Sequence, residues 1–401
     1  MNSGRFPPLS QTPLVHVSHR RLTLHTTVGE VVLETFYGWD SVGEQWLCPA
    51  REAWGLGPHQ KMSPELEDRI CFTVTRTSSY EKAADVAGKW GCPVDDSVIH
   101  AHAQKAGEQA REAEMERVKK VEWPSAREEV SREAGKNSPA HPFDLIIMMD
   151  GWMNRQKGPD WGLKPPETPA ERVNWREIKT AIIFRIDYPA KTAGGRGMVI
   201  EKFVVSYQGE PWEFCRRVYA EAVRRGLDQA RQVYWVADGG KWIWELKRER
   251  FPWAIGVLDF YHAAEHLWAL AAVLPGDSPA ARQRWVRPLV HQLYNGQEQE
   301  VLHTLESLLD GFNEDLGAEA RETIEREVAY FQSHRDHLAY SKRREEGCPN
   351  GSGAMESTCA QLQGRFKCSG QFWSQAGKDR LMALEMARRN GDWEALWEKA
   401  A

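Results

Sequence analysis

The chain has 401 residues and carries 52 Lys and Arg against 57 Asp and Glu, a formal net charge of −5. This length predicts two or three domains, and the negative charge excludes a protein that binds polyanions over its whole surface. With 41% hydrophobic and 27% charged residues, the composition is typical of a folded, soluble protein. The sequence has neither an apolar run long enough for a membrane span nor the apolar core of a secretory signal, so we expect a soluble, cytoplasmic protein without membrane partners.

Seven cysteines are scattered along the chain, and no two of them form a Cys-x-x-Cys pair. This spacing argues against a disulfide framework and against a conventional structural zinc site. We therefore expect reduced thiols in a reducing compartment.

The first third of the chain divides into two segments. Residues 1–60 are predicted to form a β-rich or irregular arm, with strands at 22–27 and 30–37 around a turn at Gly29. Residues 61–136 are predicted to be helical, because Ser63 and Ser79 precede apolar periodic stretches, as helix N-caps do. Short helices joined by a glycine-containing turn are typical of a helix-turn-helix, although helical hairpins also occur in proteins that do not bind DNA.

Residues 137–262 change to a β-β-β-α-β-α-β pattern. A meander of three strands followed by two crossover-linked strands predicts a mixed α/β fold with sheet order 3-2-1-4-5, in which strands 1, 4 and 5 are parallel. Residues 263–348 are helical throughout, and 349–401 contain a loop followed by further helices. The five predicted strands are at 145–149, 179–188, 198–207, 232–237 and 254–258, and a glycine-rich turn at 194–197 separates the second from the third.

Three acidic residues occupy informative positions in this pattern. Asp150 follows the first strand, Asp238 follows the fourth, and Glu356 lies just after the loop 351–353, in the first turn of a late helix. The first and fourth strands would be neighbours about 4.8 Å apart, so their terminal carboxylates should lie side by side. Carboxylates that converge without His or Cys suit Mg²⁺ or Mn²⁺, and such a site can hold two ions for phosphoryl transfer. Alternatively, the two Asp-Gly pairs are only turns.

Asp259 is the competing choice for the second acid, because it too ends a strand. That strand lies one place farther from the first, which would put its Cα about 10 Å from that of Asp150. The sequence therefore favours Asp238.

Four short segments together resemble a known family. They are residues 149–153, 236–240, 259–262 and 351–357, which read MDGWM, VADGG, DFYH and GSGAMES. As a set they resemble the DDE-type transposases of bacterial insertion sequences, in particular the Kra-type group related to Mutator-like enzymes. The resemblance implies an RNase H-like catalytic domain with an all-helical insertion, in which Asp150, Asp238 and Glu356 are catalytic and bind two Mg²⁺ or Mn²⁺.

The same resemblance implies a reaction and further residues. The enzyme would cleave DNA at the ends of an insertion sequence and transfer the 3′-hydroxyl into target DNA, acting at the nucleoid as a homo-oligomer that joins two ends. Asp259 and His262 match the family's Asp-x-x-His motif and would support the active site or position DNA. The basic segment 364–374 resembles the one that precedes the family's closing helix. The candidate contacts to DNA phosphates, which could equally form a solvated helix face, are Arg365, Lys367, Lys378 and Arg380.

The N-terminal arm departs from the family pattern. In that family the arm often holds a zinc ribbon with paired cysteines, whereas residues 37–49 keep only Cys48. We therefore expect no zinc in the arm, which would bind DNA ends differently or be degraded.

Two other functions stay open. A protein descended from such a transposase could bind DNA without catalysis. In addition, His262-Ala263-Ala264-Glu265-His266 matches the His-x-x-Glu-His pattern of inverted zinc peptidases, in which the two His bind zinc and the Glu is the base. The peptidase hypothesis leaves Asp150, Asp238 and Glu356 unexplained.

Overall fold

The structure is a computed structural model that describes residues 14–57, 59–162, 171–186, 190–191, 197–274, 278–310 and 317–398. The chain divides into two compact units. The first consists of Met1–Ala113 and Gly364–Ala401, and the second is Glu114–Gln363. Two of the segments distinguished in the sequence, 61–136 and 349–401, contribute residues to both units.

The secondary-structure elements are numbered in chain order. The strands are β1 (Val15–Thr26), β2 (Gly29–Asp40), β3 (Gln45–Leu47), β4 (Asp144–Lys157), β5 (Val173–Ile186), β6 (Ala190–Lys191), β7 (Gly197–Met198), β8 (Phe203–Tyr207), β9 (Gln232–Ala237) and β10 (Ile255–Leu258). The helices are α1 (Pro49–Ala53), α2 (Pro64–Arg76), α3 (Tyr80–Lys89), α4 (Asp96–Glu122), α5 (Pro124–Lys136), α6 (Pro211–Arg224), α7 (Lys241–Arg250), α8 (Phe260–Val273), α9 (Pro279–Tyr294), α10 (Glu298–Asp310), α11 (Ala318–Ser333), α12 (Tyr340–Glu345), α13 (Gly353–Phe366), α14 (Gln375–Arg389) and α15 (Trp393–Glu398).

The first unit begins with a three-stranded antiparallel sheet of order β1-β2-β3. The strands predicted around Gly29 are confirmed, and Gly29 has φ = +104°, a backbone conformation that glycine adopts without steric cost. Both strands are longer than predicted. The first seven residues of β1 are all exposed, so this part of the strand pairs with β2 without burying an apolar face.

The helices predicted after Ser63 and Ser79 are confirmed as α2 and α3. The hydroxyl of Ser63 accepts a hydrogen bond from the backbone N–H of Leu66 at 3.3 Å, and that of Ser79 accepts one from Lys82 at 3.2 Å. Each side chain thus satisfies a backbone donor that the first turn of a helix leaves unpaired.

The second unit contains a five-stranded mixed sheet of order β10-β9-β4-β5-β8. Strands β4, β9 and β10 are parallel, whereas β5 is antiparallel to both of its neighbours. Alternate residues of β4, which are Leu145, Ile147 and Met149, pack in one core with the buried face of α6. Asp150 continues the opposite alternation and therefore belongs to the other face of the sheet.

The prediction that the first strand ends at Met149 is wrong. Strand β4 continues to Lys157 and pairs along its whole length with β5, so Gly151 is a strand residue opposite Lys179 rather than part of a turn. The Glu177 carboxylate occupies the space that a Cβ at Gly151 would need. In the far part of β4 the buried alternate residues are Trp152, Asn154 and Gln156, and because two of these are polar, the apolar pattern marked only the first part of the strand.

Two other predicted elements also differ. The stretch 198–207 divides into the short β7 and the sheet strand β8, because the residues between them do not pair. Most of the turn predicted at 194–197 lies outside the described residues.

The described residues that follow β10 are helical as predicted and form five helices, α8 to α12. Helix α11 ends at Ser333, and a 3₁₀ turn, Arg335–His337, separates it from α12. All seven cysteines are free thiols, as expected. None of the helices in the described part of the chain is both long and apolar enough to cross a membrane.

Candidate active site

Asp150 and Asp238 are brought together by the register of the central strands. The parallel pairing of β4 with β9 ends at Met149 opposite Ala237, and each aspartate is the next residue of its strand. Neighbouring strands lie about 4.8 Å apart, so the two carboxylates follow adjacent backbone positions at one edge of the sheet. Burial raises the pKa of Asp150, and the negative charge of Asp238 raises it further. The two acids therefore interact electrostatically, as neighbouring carboxylates do.

Each carboxylate is oriented by its own backbone. Asp150 Oδ1 accepts a hydrogen bond from the Gly151 N–H at 2.6 Å, and Asp238 Oδ1 accepts one from the Gly240 N–H at 3.0 Å. The indole N–H of Trp244 donates to the backbone carbonyl of Asp238 at 2.7 Å, which ties the start of α7 to the end of β9. These hydrogen bonds position the backbone of Asp238 and orient the carboxylates of Asp150 and Asp238.

Asp259, at the end of β10, is fully buried and binds only backbone groups in its recorded hydrogen bonds. Its Oδ1 accepts hydrogen bonds from the N–H groups of Tyr261 at 2.7 Å and His262 at 2.9 Å, and thereby caps α8. Its Oδ2 accepts a hydrogen bond from the Ser352 N–H at 2.5 Å. Asp259 therefore joins three elements: the sheet, the start of the helical insertion and the loop that precedes α13.

Glu356 lies in the first turn of α13, which that loop brings to the sheet. The Phe260 N–H donates to the Asn350 carbonyl at 2.9 Å, and the Ser352 hydroxyl donates to Glu356 Oε1 at 3.4 Å. A Cβ at Gly351 would lie 2.8 and 2.9 Å from ring carbons of Tyr261, so the close approach of the loop to α8 requires glycine. The sequence Gly-Ser-Gly thus serves this approach and the helix start that follows it.

Cys359 places α13 against Asp150. Its thiol donates a hydrogen bond to the Asp150 carboxylate, which lowers the pKa of Asp150 and opposes the effect of burial. Burial raises the pKa of Cys359, and the charges of Asp150 and Glu356 raise it further. Cys359 and Glu356 are three residues apart on one helix face, so this contact carries Glu356 toward the same edge of the sheet. The three-residue spacing of Glu356 and Cys359 could have indicated this contact from the sequence, where Cys359 was interpreted only as a reduced thiol.

Asp150, Asp238 and Glu356 each carry oxygen donors of the kind that Mg²⁺ and Mn²⁺ prefer. Asp150 and Asp238 interact directly, and Glu356 is connected to them through Cys359. Within the described part of the chain, no three His, Cys, Asp or Glu side chains are close enough to enclose a metal ion. The chemistry of the three carboxylates fits such ions, but in this structure the three side chains do not surround one common point.

The histidines of α8 are engaged with other partners. His262 Nδ1 lies 3.3 Å from Glu265 Oε2, and the proximity of His262 lowers the pKa of Asp150. His266 Nδ1 hydrogen-bonds Glu327 of α11, and its ring stacks on that of Tyr330. The two histidines of the peptidase motif therefore have different partners: His262 lies beside Glu265 of its own helix, and His266 contacts Glu327 of the neighbouring helix.

Two of the four basic residues expected to bind DNA are buried. Arg365 is 6% exposed and donates to the backbone carbonyls of Val74 at 3.1 Å and Ser78 at 3.3 Å, where it closes the end of α2. Lys378 is 1% exposed and pairs with Asp379 at 2.7 Å. In this structure both are structural cations, because their charges are held inside the first unit.

The other two basic residues are accessible. Lys367 is half-buried, and Arg380 keeps 37% of its side chain exposed while Nε pairs with Glu108 at 2.6 Å. These two remain the candidates for contact with phosphates.

Comparison with known proteins gives distant similarities, and no protein-family model matches the chain. The chain is 22% identical over 366 residues to a UPF0236 protein in the vanSb 3′ region of Streptococcus gallolyticus, which covers 89% of this chain and 70% of that protein. Among solved structures, it is similar to the Drosophila P element transposase strand transfer complex, with 10% identity and a TM-score of 0.26, over 83% of this chain and 80% of that one.

Proposed function

We propose that this protein is a DDE-type transposase of an insertion sequence, with an RNase H-like catalytic domain. The observation that carries the proposal is the position of Asp150 and Asp238 directly after the last paired residues of the adjacent parallel strands β4 and β9, together with the helix that brings Glu356 toward them. The sheet order and the helical insertion between Asp238 and Glu356 support it. The four motif segments point to the Kra-type group.

In this proposal Asp150, Asp238 and Glu356 hold two Mg²⁺ or Mn²⁺ ions. When bound, such ions activate an attacking oxygen and stabilise the leaving oxygen of a phosphodiester. The chain's own residues provide the negative charge and its placement. Asp259 holds the loop before α13, Cys359 orients Asp150, and the backbone N–H groups of Gly151 and Gly240 orient the two aspartates.

The proposed reaction has two displacements at phosphorus. In the first, water attacks the phosphorus at the end of the element and loses a proton to solvent, while the bond to the 3′-oxygen breaks and that oxygen takes up a proton from solvent to become a 3′-hydroxyl. In the second, the freed 3′-hydroxyl attacks a phosphodiester of target DNA, whose own 3′-oxygen leaves. Two element ends must be joined, so we propose that the enzyme acts as a homo-oligomer on DNA.

The test is strand cleavage and strand transfer by the purified full chain, compared with Asp238→Asn. The amide keeps the shape of the side chain but removes its charge, so activity that depends on Mg²⁺ should be lost. Asp228→Asn is the matched control, since Asp228 pairs with Arg127 at 2.6 Å and has no recorded contact with the three acids. Equal activity of Asp238→Asn and the unchanged protein would refute the proposal, as would absence of cleavage by the unchanged protein on DNA with its own element ends. Binding of those ends without cleavage would identify the non-catalytic DNA-binding alternative.

A further inference from the structure

An aromatic side chain of the helical insertion, Tyr330, lies against the loop that follows Asp238. Tyr330 of α11 packs directly on Gly239, where its hydroxyl oxygen and Cζ would each lie 2.8 Å from a Cβ at that position. The negative charges of Asp238 and Asp259 contribute to raising the pKa of Tyr330, after burial. The phenol therefore stays protonated at neutral pH and lies beside two of the acids at the sheet edge.

The ring of Tyr330 is held on its other side. His266 stacks on it with ring centres 3.7 Å apart and planes 23° apart. His266 in turn hydrogen-bonds the buried carboxylate of Glu327, which Arg326 also contacts at 2.8 Å. The position of the phenol is thus fixed by packing and by an ion-pair chain, without use of its hydroxyl.

The hydroxyl of Tyr330 is a buried polar atom that has no hydrogen-bond partner among the described residues. Nδ1 of His334, whose ring lies 5.0 Å from that of Tyr330, is in the same condition. Leaving a buried polar group unpaired costs roughly 1–3 kcal/mol, and each case in a folded protein calls for an explanation. A hydroxyl held this firmly beside Asp238 is a donor prepared for a group that comes from outside the chain.

We propose that the Tyr330 hydroxyl donates a hydrogen bond to a phosphate oxygen of the DNA strand bound at Asp238. This inference rests on the proposed function, because that function puts a phosphodiester at the acids. A neutral phenol suits the task, since it can donate to an anionic oxygen without forming an ion pair with the neighbouring carboxylates. Tyr330 would then be a catalytic residue contributed by the insertion, which neither its type nor its position indicated in the sequence.

The experiment measures nicking of supercoiled plasmid DNA by the full chain with Mn²⁺, so that the element ends need not be known. Tyr330→Phe keeps the ring against Gly239 and His266 and removes only the hydroxyl. Tyr219→Phe is the control, because it removes a tyrosine hydroxyl that has a partner within the protein: the Tyr219 hydroxyl accepts a hydrogen bond at 3.2 Å from Arg127 of α5. We expect Tyr330→Phe to lower kcat by about 10- to 100-fold, as loss of one transition-state donor does, with little change in KM. The Tyr219→Phe variant should retain the kcat of the unchanged protein.

Thermal unfolding separates this role from a structural one. An unpaired hydroxyl contributes nothing to the free protein, so Tyr330→Phe should unfold at the same temperature or higher. A clear loss of stability would show that the hydroxyl has a partner within the protein and would overturn the inference.

The remaining outcomes are also distinct. Unchanged kcat in Tyr330→Phe, beside an inactive Asp238→Asn, would overturn the inference alone. Nicking by Asp238→Asn at the rate of the unchanged protein, or no nicking by either, would overturn the proposed function, and the inference with it.

Discussion

Three aspartates lie on three neighbouring strands of one sheet or directly after them, but their surroundings differ. Asp259, after β10, is fully buried and accepts hydrogen bonds from three backbone N–H groups. Asp150 and Asp238, near the centre of the sheet, are half-buried, and each accepts a hydrogen bond from one nearby backbone N–H. A buried carboxylate that is saturated by backbone groups stabilises the fold, whereas partly accessible carboxylates can bind a cation. The position of an aspartate in the sheet therefore does not by itself determine its role.

The largest expected effect separates activity from stability at Asp150. Asp150→Asn should lower cleavage by at least about 100-fold, because it removes one of the proposed metal-binding charges. It should not weaken the fold. Since burial and Asp238 raise the pKa of Asp150, the folded protein disfavours the charged form, and a neutral amide should leave the unfolding temperature unchanged or higher. If Asp150→Asn lost stability together with activity, Asp150 would have a structural role like that assigned to Asp259, and the two residues would no longer differ.

The opposite result is expected at Asp259. Asp259→Ala leaves three backbone donors without their acceptor, so the free energy of unfolding should fall by about 4 kcal/mol. Asp259→Asn keeps one acceptor oxygen and should lose less. Urea unfolding followed by tryptophan fluorescence measures both, with Asp228→Ala as a surface control that should cost about 1 kcal/mol or less. A loss no greater than that of the control would refute a structural role for Asp259.

The dependence of stability on pH should distinguish His337 from Asp150. Burial first, and then the positive charge of Lys247, lowers the pKa of His337 to about 4, while Asp336 acts in the opposite direction. Its neutral form is therefore favoured in the fold, and the associated stability is complete above the unfolded pKa of about 6.5. That stability is lost as the pH falls toward 4, by roughly 2 kcal/mol.

His337→Phe provides the test, because it keeps a ring where His337 stacks on Trp244 with centres 4.2 Å apart. The variant should lose less stability than the unchanged protein between pH 6.5 and 4.5. Asp150 has the opposite sign: its raised pKa means that protonation favours the folded protein, and that contribution is lost as the pH rises. If the stability of His337→Phe and that of the unchanged protein depended identically on pH, the contribution assigned to His337 would be contradicted.

The smallest expected effect concerns Gly351. In Gly351→Ala the added Cβ meets the ring of Tyr261, which must shift, so we expect a cost of about 1 kcal/mol. Because the same loop positions Glu356, cleavage should fall by more than stability alone explains. Gly317→Ala is the control, since a Cβ there meets nothing within 4 Å. Equal activities of the two variants would show that this loop does not control Glu356.

The sequence predicted the elements whose apolar pattern coincides with their length. The buried strands β9 and β10, the capped helices α2 and α3 and the helical insertion belong to this group. It did not predict the extension of β4 to Lys157, because that part is held by pairing with β5 rather than by burial of an apolar face. The local pattern of apolar residues predicts which segments are buried better than it predicts which distant segments pair.

The site shows the same limit. The positions of Asp150 and Asp238 follow from strand order, and they could be reasoned from the chain. The burial of Arg365 and Lys378 could not, because a basic residue in a helix has the same local signature whether it binds a solvated anion or a buried carbonyl. Tyr330 reaches Gly239 from 91 residues away, and no local signal announces that contact.

The hydrogen bond between Asp259 and Ser352 also has a consequence for biosynthesis. Its partners are 93 residues apart, and closing a loop of that length costs about 4 kcal/mol in chain entropy before any contact compensates for it. The intervening helices must fold and bring the ends together. A nascent polypeptide that has left the ribosome only as far as the insertion has both aspartates but lacks the glutamate, so the acidic centre can be completed only late in translation.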